Sequence, residues 1–367
     1  MKFPFYFAAL ILIGALAANS LQAKKRSSKW LFGEFSGNLI YSNVKEKTLE
    51  KEIKRLQEFE LCIQEMYPLI SQPARIPTVF IIPETRDELY DFLPYWNDRL
   101  MNVSGVFMQG EFVNVILMDG ESLISPIPNN TIFHEYVHKI LSPLGYTPPW
   151  VGEGVAETLA HFEREGNYYY FGRNVGIKLA HLRTDPRAGM RLFAMFSTTL
   201  DSSNYHVRGR QGAFYMSSWL VANHCLNSPA PELRNAYIRL WERSLEEPVT
   251  YNLFKEVFGY SYFEFEAELK EAIDSEEINY RRIHVRDIPK VTSVKFQQAN
   301  LDELNVAKAL AVFRSDRPED LSRYIPNEAH LLSVKDKRSQ LYASEIKYWK
   351  ELFTQARLKE ALEKVVE

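Results

Sequence analysis

The feature that most constrains this chain is His134-Glu135-Tyr136-Val137-His138, two imidazoles four residues apart with a carboxylate directly after the first. Side chains four apart on an α-helix share a face, so the spacing predicts a helix that aims both rings at one point. Glu135 falls about 100° further around that helix, where it can reach a water at the same point without being a ligand itself. The flanking residues agree. Asn129 or Asn130 can cap the helix, Phe133, Val137, Ile140 and Leu141 give it an apolar side, and Pro143 stops it. The expected span is Asn130–Leu141.

A second segment adds a third ligand. Pro148-Pro149-Trp150-Val151-Gly152-Glu153-Gly154-Val155-Ala156-Glu157 reads as another helix after a short loop, with Pro149 in its first turn. A catalytic zinc commonly takes three protein ligands and keeps a fourth position for water. Glu153 supplies the third, beside His134 and His138, and Gly152 and Gly154 are expected to let this helix approach the ion closely. Glu157, one turn further on, can accept the free N–H of a liganding histidine and so orient it. By its longer spacing from His138, Glu157 is also the rival third ligand. One Zn2+ is the default ion for two imidazoles and a carboxylate, although other divalent ions use such sets.

At these residues the chain resembles a known family. The HExxH pattern, a short loop and a Pro-Trp-Val-Gly-Glu-Gly-Val-Ala-Glu helix are similar to the gluzincin metallopeptidases, most closely to the peptidase MA-like group with its Trp-Leu-Asn-Glu-Gly-Leu-Ala-Glu signature. Looser likenesses at Phe32–Tyr41, Tyr168–Gly172, Tyr215-Met216-Ser217-Ser218-Trp219 and Phe254–Phe265 extend it over roughly residues 30–275. The resemblance implies His134, His138 and Glu153 as zinc ligands, Glu135 as general base, and a peptide or protein as substrate. Related enzymes stabilise the tetrahedral oxyanion with a Tyr or His; Tyr215 is the first candidate here, with Tyr205 and His206 behind it. Two departures stand out: the gap between His138 and Glu153 is shorter than in the best-known members, and Gly152 replaces the commoner Asn.

The rest of the chain predicts an α+β fold in three parts after a leader. Residues 28–128 form a small mixed sheet with helices, 129–275 a mainly helical, zincin-like half carrying the HExxH helix, and 276–367 a helical extension with no chemistry of its own. In detail, Trp30–Ser42 reads as one strand, followed by a helix capped by Asn43; Thr78–Ile82 reads as a buried strand. Val103–Met108 and Phe112–Met118 read as a hairpin, and the second strand is expected to offer an exposed edge to an extended peptide. Helices are expected at Pro149–Arg164, Gly176–Leu182, Gln211–Asn227, Pro231–Ser244, Tyr262–Ile273, Leu301–Phe313 and Gln340–Val366, with a β segment at Tyr168–Phe171.

Residues 1–23 read as a secretory signal peptide: Lys2, an uncharged run from Phe3 to Ala18, then small and polar residues to Ala23. A periplasmic or secreted location follows. The alternative is an inner-membrane anchor over residues 3–18, favoured by Lys24, Lys25, Arg26 and Lys29 although the run is short of the about 20 residues of a comfortable span. A formal charge of −3 with no basic stripe argues against nucleic acid as partner. Two cysteines, Cys62 and Cys225, are too few for a disulfide framework, leaving buried thiols or a single bridge. His161 is expected to be exposed, and His181, His224, His284 and His330 have no partners at ligand spacing. Arg173, Arg208 and Arg210 read as solvated, with a substrate carboxylate as the alternative. Beside a peptidase, the pattern accommodates a non-catalytic metal- or protein-binding module and a metallohydrolase of non-peptide substrates; an intact Glu135 favours catalysis.

Overall fold

The computed structural model describes residues 29–366 apart from 73–75, 97–98, 102, 125–129, 174, 186, 316, 326–329 and 331–332. The leader read at 1–23, the anchor alternative at 3–18 and the capping candidate Asn129 lie outside the described residues. The fold is α+β, as expected.

Where the sequence pattern suggests one strand from Trp30 to Ser42, the chain makes a hairpin, β1 (Leu31–Phe35) and β2 (Asn38–Ser42). Ser36 and Gly37 both take positive φ, 44° and 75°, the geometry of a two-residue turn whose twist matches paired strands. Helix α1 (Glu46–Met66) follows and buries Leu49, Ile53, Leu56, Phe59 and Ile63 along one side. Asn43 does not cap it. Its carboxamide bridges elsewhere, accepting from the Glu84 N–H at 2.5 Å and donating to Glu88 at 2.9 Å.

Next come β3 (Thr78–Ile82), a small ribbon of β4 (Tyr95–Trp96) and β5 (Arg99–Leu100), then β6 (Gly105–Met108) and β7 (Asn114–Met118). With β11 (Gln297–Gln298) these build a six-stranded sheet in the order β11-β1-β2-β3-β7-β6. β2, β3 and β7 run parallel and β6 returns antiparallel. β7 is therefore interior, and the edge expected of Phe112–Met118 belongs to β6 instead. Every residue of β7 is buried, as a strand flanked on both sides and covered on both faces must be.

Two neighbouring helices come next, α2 (Thr131–Leu141) and α3 (Pro149–Leu159). The helix expected to run to Arg164 ends at Leu159, because β8 (Phe162–Glu165) turns at Gly166 to pair with β9 (Tyr168–Phe171). β10 (Arg281–His284) completes that three-stranded sheet. Helices α4 (Gly176–Thr184) and α5 (Arg208–Leu226) follow, then those at Pro231–Ser244, Tyr251–Phe258 and Tyr262–Ser275.

Period-two alternation sorts the sheet residues between two cores. Phe80 and Ile82 face a core shared with α1, α2, α3 and α5, whereas Val79 and Ile81 face a second one. The second core is roofed by α6 (Leu301–Arg314), through Val306, Leu310 and Phe313, and by Tyr342 and Ile346 of α7 (Lys337–Val366). The segment after residue 276 is thus woven into both sheets and covers one face of the larger. No described helix is long and apolar enough to cross a membrane.

Candidate metal centre

Helix α2 turns Ile132, Phe133, Tyr136, Val137 and Ile140 into the core, which leaves His134 and His138 on the side facing α3. Tyr136 locks its rotation: the phenol accepts from Lys139 Nζ at 3.1 Å and Asn38 Nδ2 at 3.3 Å, and the ring packs against both Phe35 and Phe80. Asn130 occupies the N-cap position but makes no side-chain cap hydrogen bond. On the other side α3 is seated on α5 by close backbone approach, which carries Glu153 to the histidines.

His134 Nε2 and His138 Nε2 stand 3.1 Å apart, and Glu153 Oε2 lies 3.3 Å from the first and 3.8 Å from the second. Three atoms held at 2.0–2.1 Å around a tetrahedral ion are separated by about 3.4 Å, so this triangle has the size such an ion needs. Glu153 Oε2 is buried with no hydrogen-bond donor aimed at it among the described residues, a costly state for an anion in the interior that a cation would relieve. The other oxygen, Oε1, accepts from the Tyr205 hydroxyl at 2.6 Å. His134, His138 and Glu153 can therefore hold one metal ion, and among the described residues no other His, Cys, Asp and Glu side chains converge in this way.

Glu157 is not one of the three. Its Oε1 lies 3.2 Å from His134 Nδ1 and its Oε2 accepts from Lys178 Nζ at 2.6 Å. With an ion bound, that contact would keep the His134 proton on Nδ1 and leave Nε2 free to ligate. Lys178 has no signature in the sequence because its partner is far away along the chain; only the tertiary fold brings the two charges together. The same lysine sits over the Trp219 ring at 4.7 Å.

The surroundings pull the ionisable groups apart. Burial pushes the Glu135 carboxyl up to about 7, partly offset by His134 and by the nearby Phe107 backbone N–H. Burial pushes His138 down to about 4. Burial also opposes charge on His134, but Glu153 and Glu157 outweigh it and hold its proton well above the ordinary range. Glu153 and Glu157 both lie below the usual carboxylate value despite burial, the first through His138, His134 and Tyr205, the second through Lys178 and His134.

A cleft of about 570 Å³ opens beside the triangle, lined by Ser104, Gly105, His134, Glu135, Gln211 and Tyr215 among others. Tyr215 stacks its ring on His134 at 6.2 Å with only 9° between planes, and it also lies 6.2 Å from the Tyr205 ring. Tyr205 thus orients the ligand carboxylate, while Tyr215 lines the open cleft. His206 is placed only by its backbone; its side chain, like that of Arg208, lies outside the described residues.

Several expectations need correction. His161 is not exposed: it is half-buried, its Nδ1 lies 2.8 Å from the Glu157 carbonyl oxygen, and it lines the cleft. Gly152 is not needed for approach to the metal, since a Cβ there would sit 3.9 Å from the His138 ring, in ordinary contact. Gly154 is needed, but for packing: its Cβ would come within 2.5 Å of the Ser218 carbonyl oxygen on α5. Arg173 stacks on Tyr170 and pairs with Glu163 and Glu165, so it is engaged away from the cleft. Arg210 donates to Ser203 and is exposed, and His224 is buried against Glu268 at 2.8 Å. Cys62 and Cys225 are buried free thiols.

No protein-family model matches this chain, and no curated protein matches it significantly.

Proposed function

We propose that this chain is an exported zinc-dependent peptidase, with His134, His138 and Glu153 as the metal ligands. The observation that carries it is the position of Glu135: a buried carboxyl that is not a member of the triangle yet lines, together with His134, the cleft beside it. A purely structural metal site has no use for that carboxylate, whereas hydrolysis does. When bound, a divalent ion at these ligands supplies acidity to water and polarises a carbonyl.

The remaining work falls to the protein. Glu135 takes a proton from water in the cleft and returns it to the leaving amine. The nearby Phe107 N–H, on the strand whose Gly105 lines the cleft, favours the charged form of the Glu135 carboxyl. Tyr205 keeps Glu153 in place through Oε1, Glu157 keeps the His134 ring in one tautomer, and Lys178 keeps Glu157 charged. Tyr215, whose ring lies against His134, is the proposed donor to the developing oxyanion. The free edge of β6 suits an extended peptide, which would add as a further strand and be held by main-chain hydrogen bonds with little sequence choice.

The test is Glu135→Gln. Metal stoichiometry stays at the wild-type value while cleavage in a peptide-library digest drops by roughly a thousandfold or more. Undiminished cleavage by Glu135→Gln rejects the mechanism, and cleavage of a non-peptide substrate alone favours the other hydrolase reading.

A further inference from the structure

We infer that Glu345, on the C-terminal helix α7, is a positioning residue for the edge strand of the cleft; its catalytic consequence rests on the peptidase reading above. Glu345 is fully buried, 0% exposed. Its Oε2 accepts from the backbone N–H groups of Phe112 at 2.7 Å and Val113 at 3.3 Å, and its Oε1 from that of Glu111 at 3.2 Å. Trp349 Nε1 donates to the same Oε1 at 2.5 Å. Consecutive peptide N–H groups converging on one carboxylate form an anion-binding turn, except that here the anion comes from a helix more than 200 residues further along the chain.

The turn so gripped joins β6 to β7. Other side chains of the same C-terminal region hold it as well. Arg314 donates to the Gln109 carbonyl at 2.5 Å while its guanidinium stacks on Trp349 at 3.8 Å, and Phe112 packs edge-on against Tyr348 at 5.9 Å. At its other end β6 abuts the metal helix. A Cβ at Gly105 would lie 2.5 Å from Thr131 Cγ2 and 3.1 Å from Glu135 Cγ.

Among the described residues β6 has a strand neighbour on one side only, β7. Its position is therefore fixed by β7, by α2 and by the turn that Glu345 holds. Removing the carboxylate leaves three N–H groups without their acceptor, and the turn relieves this by opening to water. The strand then loses its anchor at Met108 and, with it, the alignment of the cleft wall at Gly105. An extended substrate is bound through that wall, so the loss is expected mainly in KM.

The experiment uses the full chain and compares Glu345→Gln and Glu345→Asp with the wild type. Glu345→Gln is nearly isosteric but loses the charge and one acceptor, whereas Glu345→Asp keeps both acceptor oxygens. Expected for Glu345→Gln is about tenfold or greater faster amide exchange across residues 111–113 and 105–108, with α1 unchanged. KM for an extended peptide from the library digest rises about tenfold, kcat changes by less than about threefold, and metal content is unaltered. Glu345→Asp recovers part of both effects. Faster exchange confined to residues 111–113, or kinetic constants equal to the wild type's, overturns the proposal. Should Glu345→Gln fail to fold, Trp349→Phe removes one donor to the carboxylate and is expected to move exchange at 105–113 in the same direction. A wild-type chain that binds metal and cleaves no peptide overturns the peptidase reading alone; exchange at 105–108 then decides the role of Glu345 by itself.

Discussion

Two glycines two residues apart in α3 should respond to the same substitution with opposite sign. A Cβ at Gly154 would lie 2.5 Å from the Ser218 carbonyl oxygen and 3.0 Å from Ala222 Cβ, both on α5. About 1 Å of separation must be found between two helices already in backbone contact, because non-bonded contacts settle near 3.5 Å. Overpacking of that kind costs about 1–3 kcal/mol, and the higher helix propensity of alanine returns about 0.5–1 kcal/mol. The net expectation for Gly154→Ala is a loss centred near about 1 kcal/mol and reaching about 2.5 kcal/mol. At Gly152 the nearest atoms would be Thr147 Cγ2 at 3.8 Å and the His138 ring at 3.9 Å, so the propensity gain stands alone. Gly152→Ala should be neutral or stabilising by up to about 1 kcal/mol. Urea unfolding with chelator in every sample measures both variants free of metal linkage. If the two agree within about 0.5 kcal/mol, or Gly152→Ala is the weaker protein, the contact geometry assigned to α3 and α5 is wrong.

Further outcomes follow from the centre itself. Tyr205→Phe deletes the hydroxyl that holds Glu153 Oε1, and metal affinity measured against a chromophoric chelator should weaken about 10–100-fold; unchanged affinity would remove Tyr205 from the site. Glu153→Gln should abolish stoichiometric metal binding while Glu157→Gln keeps it, and the reverse pattern would restore Glu157 as ligand. Stripping the metal should lower the unfolding free energy by about 4 kcal/mol at a thousandfold excess of free ion over Kd, with a matching fall in Tm. Lys308 lies over the Trp30 ring at 4.0 Å and is pushed down to about 8 by burial. The unfolded chain binds more protons than the folded one between about pH 8 and pH 10.4, so this group's penalty is full below that window and fades as pH rises through it. Relative to Lys308→Met, wild-type stability should therefore gain about 1 kcal/mol across that window after solvent screening, and a constant difference would refute the shift.

Local chemistry made the centre legible in one dimension. Imidazoles four apart on a helix must share a face, so His134, His138 and the adjacent Glu135 could be placed relative to one another from spacing alone. Glu153 was legible because it opens a second helix a short loop later. The α+β class and most helices followed from periodicity for the same reason: each is set by neighbours a few residues away. Where the pattern misled, a non-local partner decided. Trp30–Ser42 became two strands at the Ser36-Gly37 turn, and β7 became interior because β6 folded back outside it.

Contacts between distant segments were beyond any spacing rule. Lys178 meets Glu157 and Tyr205 meets Glu153 only because the tertiary fold carries α4 and the Ser203–His206 turn within side-chain reach of α3. Gly154 is set by a carbonyl on α5, and the edge-strand turn by a carboxylate on α7. The sequence by itself determined which atoms could bind an ion, since helical geometry is a local property. Tertiary structure alone decided how those atoms are oriented, charged and walled in, because burial and partner choice are properties of the whole packed chain.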